Sequence, residues 1–115
     1  MKKLKSITAT TDYKRCYENG KRLTADHFII YLIEKQDQDL IRLGVTVTKK
    51  VGNAVQRNRI KRLVKESFRN LIKEKRYKGL DIVVVAKKGI DVKKMNLWQV
   101  KQELEKRLCE FELGR

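Results

Sequence analysis

Lys49-Lys50-Val51-Gly52-Asn53-Ala54-Val55-Gln56-Arg57-Asn58-Arg59-Ile60-Lys61-Arg62 marks the passage from a strand into a long helix. Before it, Ile41 to Thr48 alternates cleanly. Ile41, Leu43, Val45 and Val47 face one way, and Arg42, Gly44, Thr46 and Thr48 the other. Within it, Asn53 with Gln56 three residues on is a capping-box arrangement. After it, Ile60, Leu63, Val64, Phe68, Leu71 and Ile72 recur at helical spacing as a buried stripe. The helix is predicted to start at Asn53 and end near Lys75–Arg76, ahead of Gly79. Lys49, Lys50, Arg57, Arg59 and Lys61 crowd its start. A helix N-terminus already carries about half a positive charge, so cations there are unfavourable for the isolated helix and point to a polyanionic partner.

Working outward, Leu80-Asp81-Ile82-Val83-Val84-Val85-Ala86 is short, β-branched and apolar almost throughout, which predicts a central strand buried on both faces. Upstream, His27 to Glu34 reads as a strand. Ile29, Tyr31 and Ile33 share one face, and Phe28, Ile30 and Leu32 the other. The polar turn Gln36-Asp37-Gln38-Asp39 predicts that this strand and the one over 41–48 pair directly as an antiparallel hairpin. A short strand is expected around Arg22–Leu23. Thr11 or Asp12 is the expected cap of a first helix running to about Glu18. Its Tyr13, Cys16 and Tyr17 share a face, and Gly20 stands just past its end. Residues 1–9 are basic and polar, and are expected to be a flexible N-terminus. At the other end, Asn96 with Gln99, and a Met95–Val100 staple, start a last helix. Leu97, Val100, Leu104, Leu108 and Phe111 form its apolar stripe. The fold class is α+β, in the order helix, three strands, long helix, strand, helix, a sandwich with the helices packed on one sheet.

The length of 115 residues suits one domain with a real core, so 1–115 is read as a single domain. The formal charge is +15, against roughly 2–8 in magnitude for an ordinary small domain, which solubility alone does not require. Such a chain attracts phosphate backbones or anionic membranes. No apolar run reaches the roughly 20 residues of a membrane span. No secretory signal is visible, since no apolar stretch follows Met1-Lys2-Lys3-Leu4-Lys5. Cys16 and Cys109 are far apart and read as reduced cytosolic thiols, and His27 is the single histidine, which leaves no His/Cys ligand set. A cytoplasmic protein with no membrane partner and no evident protein partner is expected.

The charge is concentrated. Lys49, Lys50, Arg57, Arg59, Lys61, Arg62, Lys65, Arg69, Lys73, Lys75 and Arg76 are opposed locally only by Glu66 and Glu74. The plain alternative is a solvated helix face with Glu–Lys pairing, but two acids cannot pair eleven cations. Asn53, Gln56 and Asn58 add groups that contact sugars or base edges, and Gly52 lets a backbone approach. The partner is therefore read as RNA. Tyr13, Tyr17 and Tyr31 line one groove if the first helix covers the sheet, where rings stack on unpaired bases. From pattern alone they read more simply as core residues with their hydroxyls at an edge. The carboxylates Asp12, Asp26, Asp81 and Asp91 stand singly, without the pairing that a two-metal nuclease needs.

With Gly44-Val45-Thr46-Val47-Thr48 added in front, the opening stretch resembles the signature of the bacterial ribonuclease P protein family. Arg57-Asn58-Arg59 stands at that family's Arg-Asn-Arg triplet. Asp12-Tyr13, Gly20-Lys21 and the strand beginning at Asp81 support the match, which covers nearly the whole chain. The resemblance implies a left-handed βαβ crossover from the strand 41–48 through the long helix to the strand 80–86, where the usual rule gives a right-handed one. It implies binding to a catalytic RNA that cleaves the 5′ leader from precursor tRNA, with Mg²⁺ held mainly by that RNA and no catalytic residue on this chain. Lys49, Lys50, Asn53, Arg57, Asn58, Arg59, Lys61, Arg62 and Lys65 become the expected catalytic-RNA contacts. Tyr13, Tyr17 and Tyr31 become the expected leader contacts. The family often has Phe at the position of Tyr13. Alternatives of other classes are a ribosomal-protein-like module or RNA chaperone, a stand-alone nuclease, and a double-stranded DNA binder.

Overall fold

Leu80–Ala86 lies at the centre of a five-stranded sheet in the computed structural model, which describes residues 4–35, 40–74 and 79–113. The elements run β1 (Leu4–Ser6), α1 (Thr10–Asn19), β2 (Lys21–Thr24), β3 (Phe28–Glu34), β4 (Ile41–Thr46), α2 (Ala54–Glu74) and β5 (Leu80–Ala86). A single 3-10 turn over Val92–Lys94 then leads into α3 (Leu97–Leu113). The sheet order is β1-β4-β5-β3-β2. β4, α2 and β5 form the expected crossover, with β4 and β5 as neighbouring parallel strands.

The expected hairpin between β3 and β4 is corrected by this order. The two strands are not neighbours, because β5 lies between them, antiparallel to β3 and parallel to β4. The turn at 36–39 that suggested the pairing lies outside the described residues. The physical reason is burial: six of the seven β5 residues are buried, and a central position lets β3 and β4 pair both edges of such a strand while helices cover both its faces. The expectation of a flexible stretch over 1–9 also fails from residue 4 onward. Leu4–Ser6 pairs in parallel with Ile41–Leu43, and Ile7 is buried and donates its N–H to the Leu43 carbonyl at 2.9 Å.

The helices cover both faces of the sheet. α2 and α3 pack on one face, where Phe28, Ile30, Leu32, Ile41, Leu43, Ile82 and Val84 meet Ile60, Val64, Phe68, Leu71, Val100, Leu104 and Leu108. Leu63 and Ile72 are only partly buried at the border of that core. The other face carries α1, with Cys16 fully buried against Ile7 and Val83, and with Tyr13, Tyr31, Ile33 and Val85 packed around them. Burial pushes the Cys16 thiol up from its ordinary value, as does the charge of Asp81. Both cysteines are free thiols.

Element ends differ from the sequence expectation in instructive ways. α1 begins at Thr10 behind Ala9, without a side-chain cap. Asp12 does not cap it, because its carboxylate is taken by Arg42 and Arg15. Gly20 follows α1 in an extended conformation, φ −76°, and not the left-handed one. A side chain there would put its Cβ 2.5 Å from the Cys16 carbonyl oxygen, so close approach explains the glycine. β4 stops at Thr46, two residues early, where the chain turns towards α2. The described part of α2 runs to Glu74, and the expected end at Lys75–Arg76 lies outside the described residues. The second capping signal forms as expected, with Gln99 N–H donating to Asn96 Oδ1 at 2.9 Å.

Candidate nucleic-acid interface

The start of α2 is held by two reciprocal bonds. Gln56 N–H donates to Asn53 Oδ1 at 2.9 Å, and Asn53 N–H donates to Gln56 Oε1 at 3.0 Å. A Cβ on Gly52 would come within 2.3 Å of Gln56 Oε1, so this box needs a glycine before it. The side-chain oxygens of Asn53 and Gln56 are therefore engaged within the protein. Their amide NH₂ groups, and all of Asn58, remain as the polar groups offered to a ligand.

The cations divide by helix face. Asn58, Arg62, Lys65 and Arg69 follow one another at i, i+4, i+7 and i+11, all away from the buried Ile60, Val64, Phe68 and Leu71. Except for Lys61, which is half-buried beside them, the stripe is open to solvent, as are Lys49 and Lys50 in the turn before α2. Arg57 and Arg59 are held in place by carbonyls. Arg57 Nη1 donates to Gly52 O and Arg59 Nη2 to Met95 O, each at 2.8 Å. A guanidinium has five N–H donors, so most of each fork is left over at a fixed place.

Both local acids are already matched: Glu66 pairs with Arg69, and Glu74 with Lys101 of α3. Among the described residues, Lys49, Lys50, Arg57, Arg59, Lys61, Arg62 and Lys65 have no ion-pair partner. Pairing with the acids of α2 itself therefore leaves these seven cations unmatched.

The aromatic groove lies on the opposite face of the sheet, between α1 and the strands. Tyr17 sets its ring edge against Tyr31, with centroids 5.1 Å apart and planes at 83°. Its hydroxyl shares a 2.9 Å hydrogen bond with Thr46 Oγ1 on β4. Tyr17 nonetheless remains 41% exposed. Tyr13 sits deeper. Its ring lies on Gly44, where a Cβ would be 2.7 Å from three ring-end atoms, so that glycine makes the berth. Burial pushes the Tyr13 phenol above its ordinary value, Tyr17 adds to this, and a backbone hydrogen bond at Val45 opposes it. The three tyrosines are thus on one side of the sheet, with Tyr17 and Tyr31 at the mouth and Tyr13 at the base.

Sequence reasoning missed Thr46 as the hydroxyl partner of Tyr17. It also read Asp12 and Asp81 as solitary when both meet Arg42. The signal was present in strand alternation: Arg42, Gly44 and Thr46 share the face that α1 covers. His27 is engaged too, with its N–H and its Nδ1 both bonded to Glu103, at 2.9 and 2.6 Å. Among the described residues no group of three or more His, Cys, Asp or Glu side chains could hold a metal ion, and no helix is long and apolar enough to cross a membrane.

Comparison with known proteins bears on the family and the fold. The family model for Ribonuclease P matches residues 1–112. The ribonuclease P protein component of Syntrophus aciditrophicus is 48% identical over 87 residues, which span 76% of this chain and 71% of that protein. That of Staphylococcus epidermidis is 36% identical over 105 residues, 91% of this chain and 88% of that protein. Among solved structures, the RNase P protein of Staphylococcus aureus superposes with a TM-score of 0.76 at 34% identity, covering 92% of this chain and 94% of that one. The RNase P protein of Thermotoga maritima gives 0.78 at 30% identity, covering 89% and 93%. On its sequence and on its fold alike, the chain belongs to the ribonuclease P protein family.

Proposed function

We propose that this chain, as the protein subunit of ribonuclease P in tRNA 5′ processing, binds two RNAs at once. Lys49, Lys50, Arg57, Arg59, Lys61, Arg62 and Lys65, with Asn53 and Asn58, take the backbone of the catalytic RNA. Tyr17 and Tyr31, backed by Tyr13, stack the single-stranded 5′ leader of precursor tRNA. The observation that carries this reading is the run of cations without acidic partners around an internally capped helix start. Cations gathered against both the helix dipole and one another are stabilised once phosphate neutralises them.

Bond cleavage belongs to the RNA in this reading. Phosphodiester hydrolysis at neutral pH commonly uses metal ions to generate hydroxide and to stabilise the leaving oxygen. Among the described residues no cluster of acids or histidines fits that chemistry, and Asp12 and Asp81, which share a partner, are both bound by Arg42. Mg²⁺ is accordingly assigned to the RNA. The protein's cations lower the repulsion between two RNAs, so assembly needs less Mg²⁺. The site of action is the cytoplasm, where precursor tRNA is met.

Reconstitution tests the reading. With purified catalytic RNA and precursor tRNA, the RNA alone should cleave slowly at high Mg²⁺, and added protein should restore cleavage at low Mg²⁺. Protein without RNA should cleave nothing. Cleavage at the mature 5′ end by nucleic-acid-free protein would make this a protein nuclease. Equal, unsaturable binding to unrelated RNAs would make it a chaperone.

A further inference from the structure

Strand register lines up side chains across the face that α1 covers. One row is Arg22–Tyr31–Val83–Gly44, and the next is Thr24–Ile29–Val85–Thr46. Cys16 and Tyr13 of α1 close over the first row at Val83 and Gly44. The second row stays open: Thr24 is exposed, and Ile29, Val85 and Thr46 are half-buried. This strip has an apolar floor and is bridged by Tyr17, which touches Tyr31 on β3 and Thr46 on β4. At its β4 end the chain passes directly into the Lys49–Lys50 turn. At its other end is the edge strand β2.

Arg22 is the cation at that other end. It lies directly opposite Tyr31 in the antiparallel register, so the two side chains leave the sheet on the same face. Its neighbour Lys21 points to the opposite face, where its ammonium lies 5.6 Å from the centre of the Phe111 ring. Arg22 itself is exposed, and among the described residues it has no ion-pair partner. An unmatched guanidinium at the edge of an aromatic pair has the chemistry of a phosphate ligand beside a base-stacking platform.

We propose that Arg22 is a further leader-binding residue, taking a phosphate of the single-stranded 5′ leader at the β2 edge of the groove. Tyr17 and Tyr31 stack the intervening base, and Lys49 and Lys50 stand at the opposite end. This rests on the reading of the groove as the leader site. β2 and β4 are three strand spacings apart, about 14 Å. In this proposal the leader enters at the Lys49–Lys50 end, so a short one reaches the tyrosines and stops before Arg22. Arg22 therefore acts only on leaders long enough to cross the sheet.

The test uses the reconstituted holoenzyme, with mature tRNA and precursors whose leaders lengthen one nucleotide at a time. Affinity is measured at several salt concentrations for the wild type, Arg22→Ala and Arg22→Lys. The wild type should gain affinity with leader length and then level off. Arg22→Ala should match it for mature tRNA and the shortest leaders, and fall on the order of tenfold below it for long ones. Its log–log salt slope for long leaders should shrink by about 0.7, and Arg22→Lys should recover most of both effects. A leader gain that Arg22→Ala leaves intact, or a loss equal for every leader and for mature tRNA, overturns the assignment of Arg22 alone. A wild-type affinity that ignores the leader overturns the groove reading itself.

Discussion

Arg42 of β4 grips the buried carboxylate of Asp81 on β5 through two bonds, Nε to Oδ1 at 2.8 Å and Nη2 to Oδ2 at 2.6 Å. Its third nitrogen, Nη1, reaches Asp12 of α1 at 3.2 Å. One guanidinium therefore ties two strands to the helix that carries Tyr13 and Tyr17. Arg42→Ala would leave Asp81, whose side chain is 2% exposed, with only Lys35 at 3.2 Å. Removing one partner of a fully buried pair costs about 3–5 kcal/mol, an upper bound here because Lys35 stays. Urea denaturation should show a loss of that order, and a loss under about 1 kcal/mol would mean that water replaces the guanidinium.

The same pair sets an acid limit on stability. Burial alone would raise the Asp81 carboxyl, but the hydrogen bonds and charges of Arg42 and Lys35 outweigh it, so it titrates below its ordinary value. Because the folded-state value is the lower one, the stabilisation is complete above the unfolded-state value of about 4 and is lost as pH falls through the folded one. Asp81→Asn should be less stable than the wild type at pH 7 and should lose less on acidification. Denaturation midpoints between pH 7 and pH 3 measure this. Parallel pH curves for the two proteins would move the acid sensitivity to other carboxylates.

The cap of α2 predicts a graded series. Asn53→Ala removes the oxygen that accepts the Gln56 N–H and should cost about 1 kcal/mol. In Gly52→Ala the new methyl meets the end of the Gln56 side chain, which can swing away, so only the return bond to the Asn53 N–H is lost. Gly52→Ala should therefore cost less than Asn53→Ala. The reverse order in thermal denaturation would show that backbone, not side chain, yields at Gly52.

Arg57→Ala and Arg59→Ala should weaken binding to the catalytic RNA and lower the steepness of its salt dependence. Each phosphate that the protein no longer neutralises takes about 0.9 from the log–log slope on a duplex. Binding measured across a salt series separates this from misfolding, which would lower affinity without a regular change of slope. An unchanged slope in the double variant would turn these arginines away from the RNA.

At the groove mouth, Tyr17→Phe and Tyr17→Ala separate hydroxyl from ring. The first removes only the bond to Thr46 and should keep precursor binding near the wild type. The second removes the stacking surface and should cost about 1–3 kcal/mol of precursor binding, leaving mature tRNA unaffected. If Tyr17→Phe loses as much as Tyr17→Ala, the hydroxyl bridge and not the ring holds the leader.

Much of this architecture was legible in the residues because it is decided within a few positions of chain. The Asn53–Gln56 and Asn96–Gln99 caps form from side chains three residues apart. The alternation of β3 and β4 sorts their two faces without reference to any neighbour. The apolar run of β5 announces a central strand, and the cations of α2 need only the helical period to show which side they take. The family signature spans this same stretch.

What the tertiary structure alone decided is what lies beside what. A short connection favours a hairpin locally, but the apolar β5 needs pairing on both edges as well as cover on both faces, and it lies between β3 and β4. That insertion brings Arg42 beside Asp81, and so turns two apparently solitary acids, Asp12 and Asp81, into one network. It also sets Thr46 across the groove from Tyr31, where Tyr17 can touch both. A strand's own pattern states which face is buried but not which strand comes next, because lateral order is chosen by the total burial and hydrogen bonding of the whole sheet.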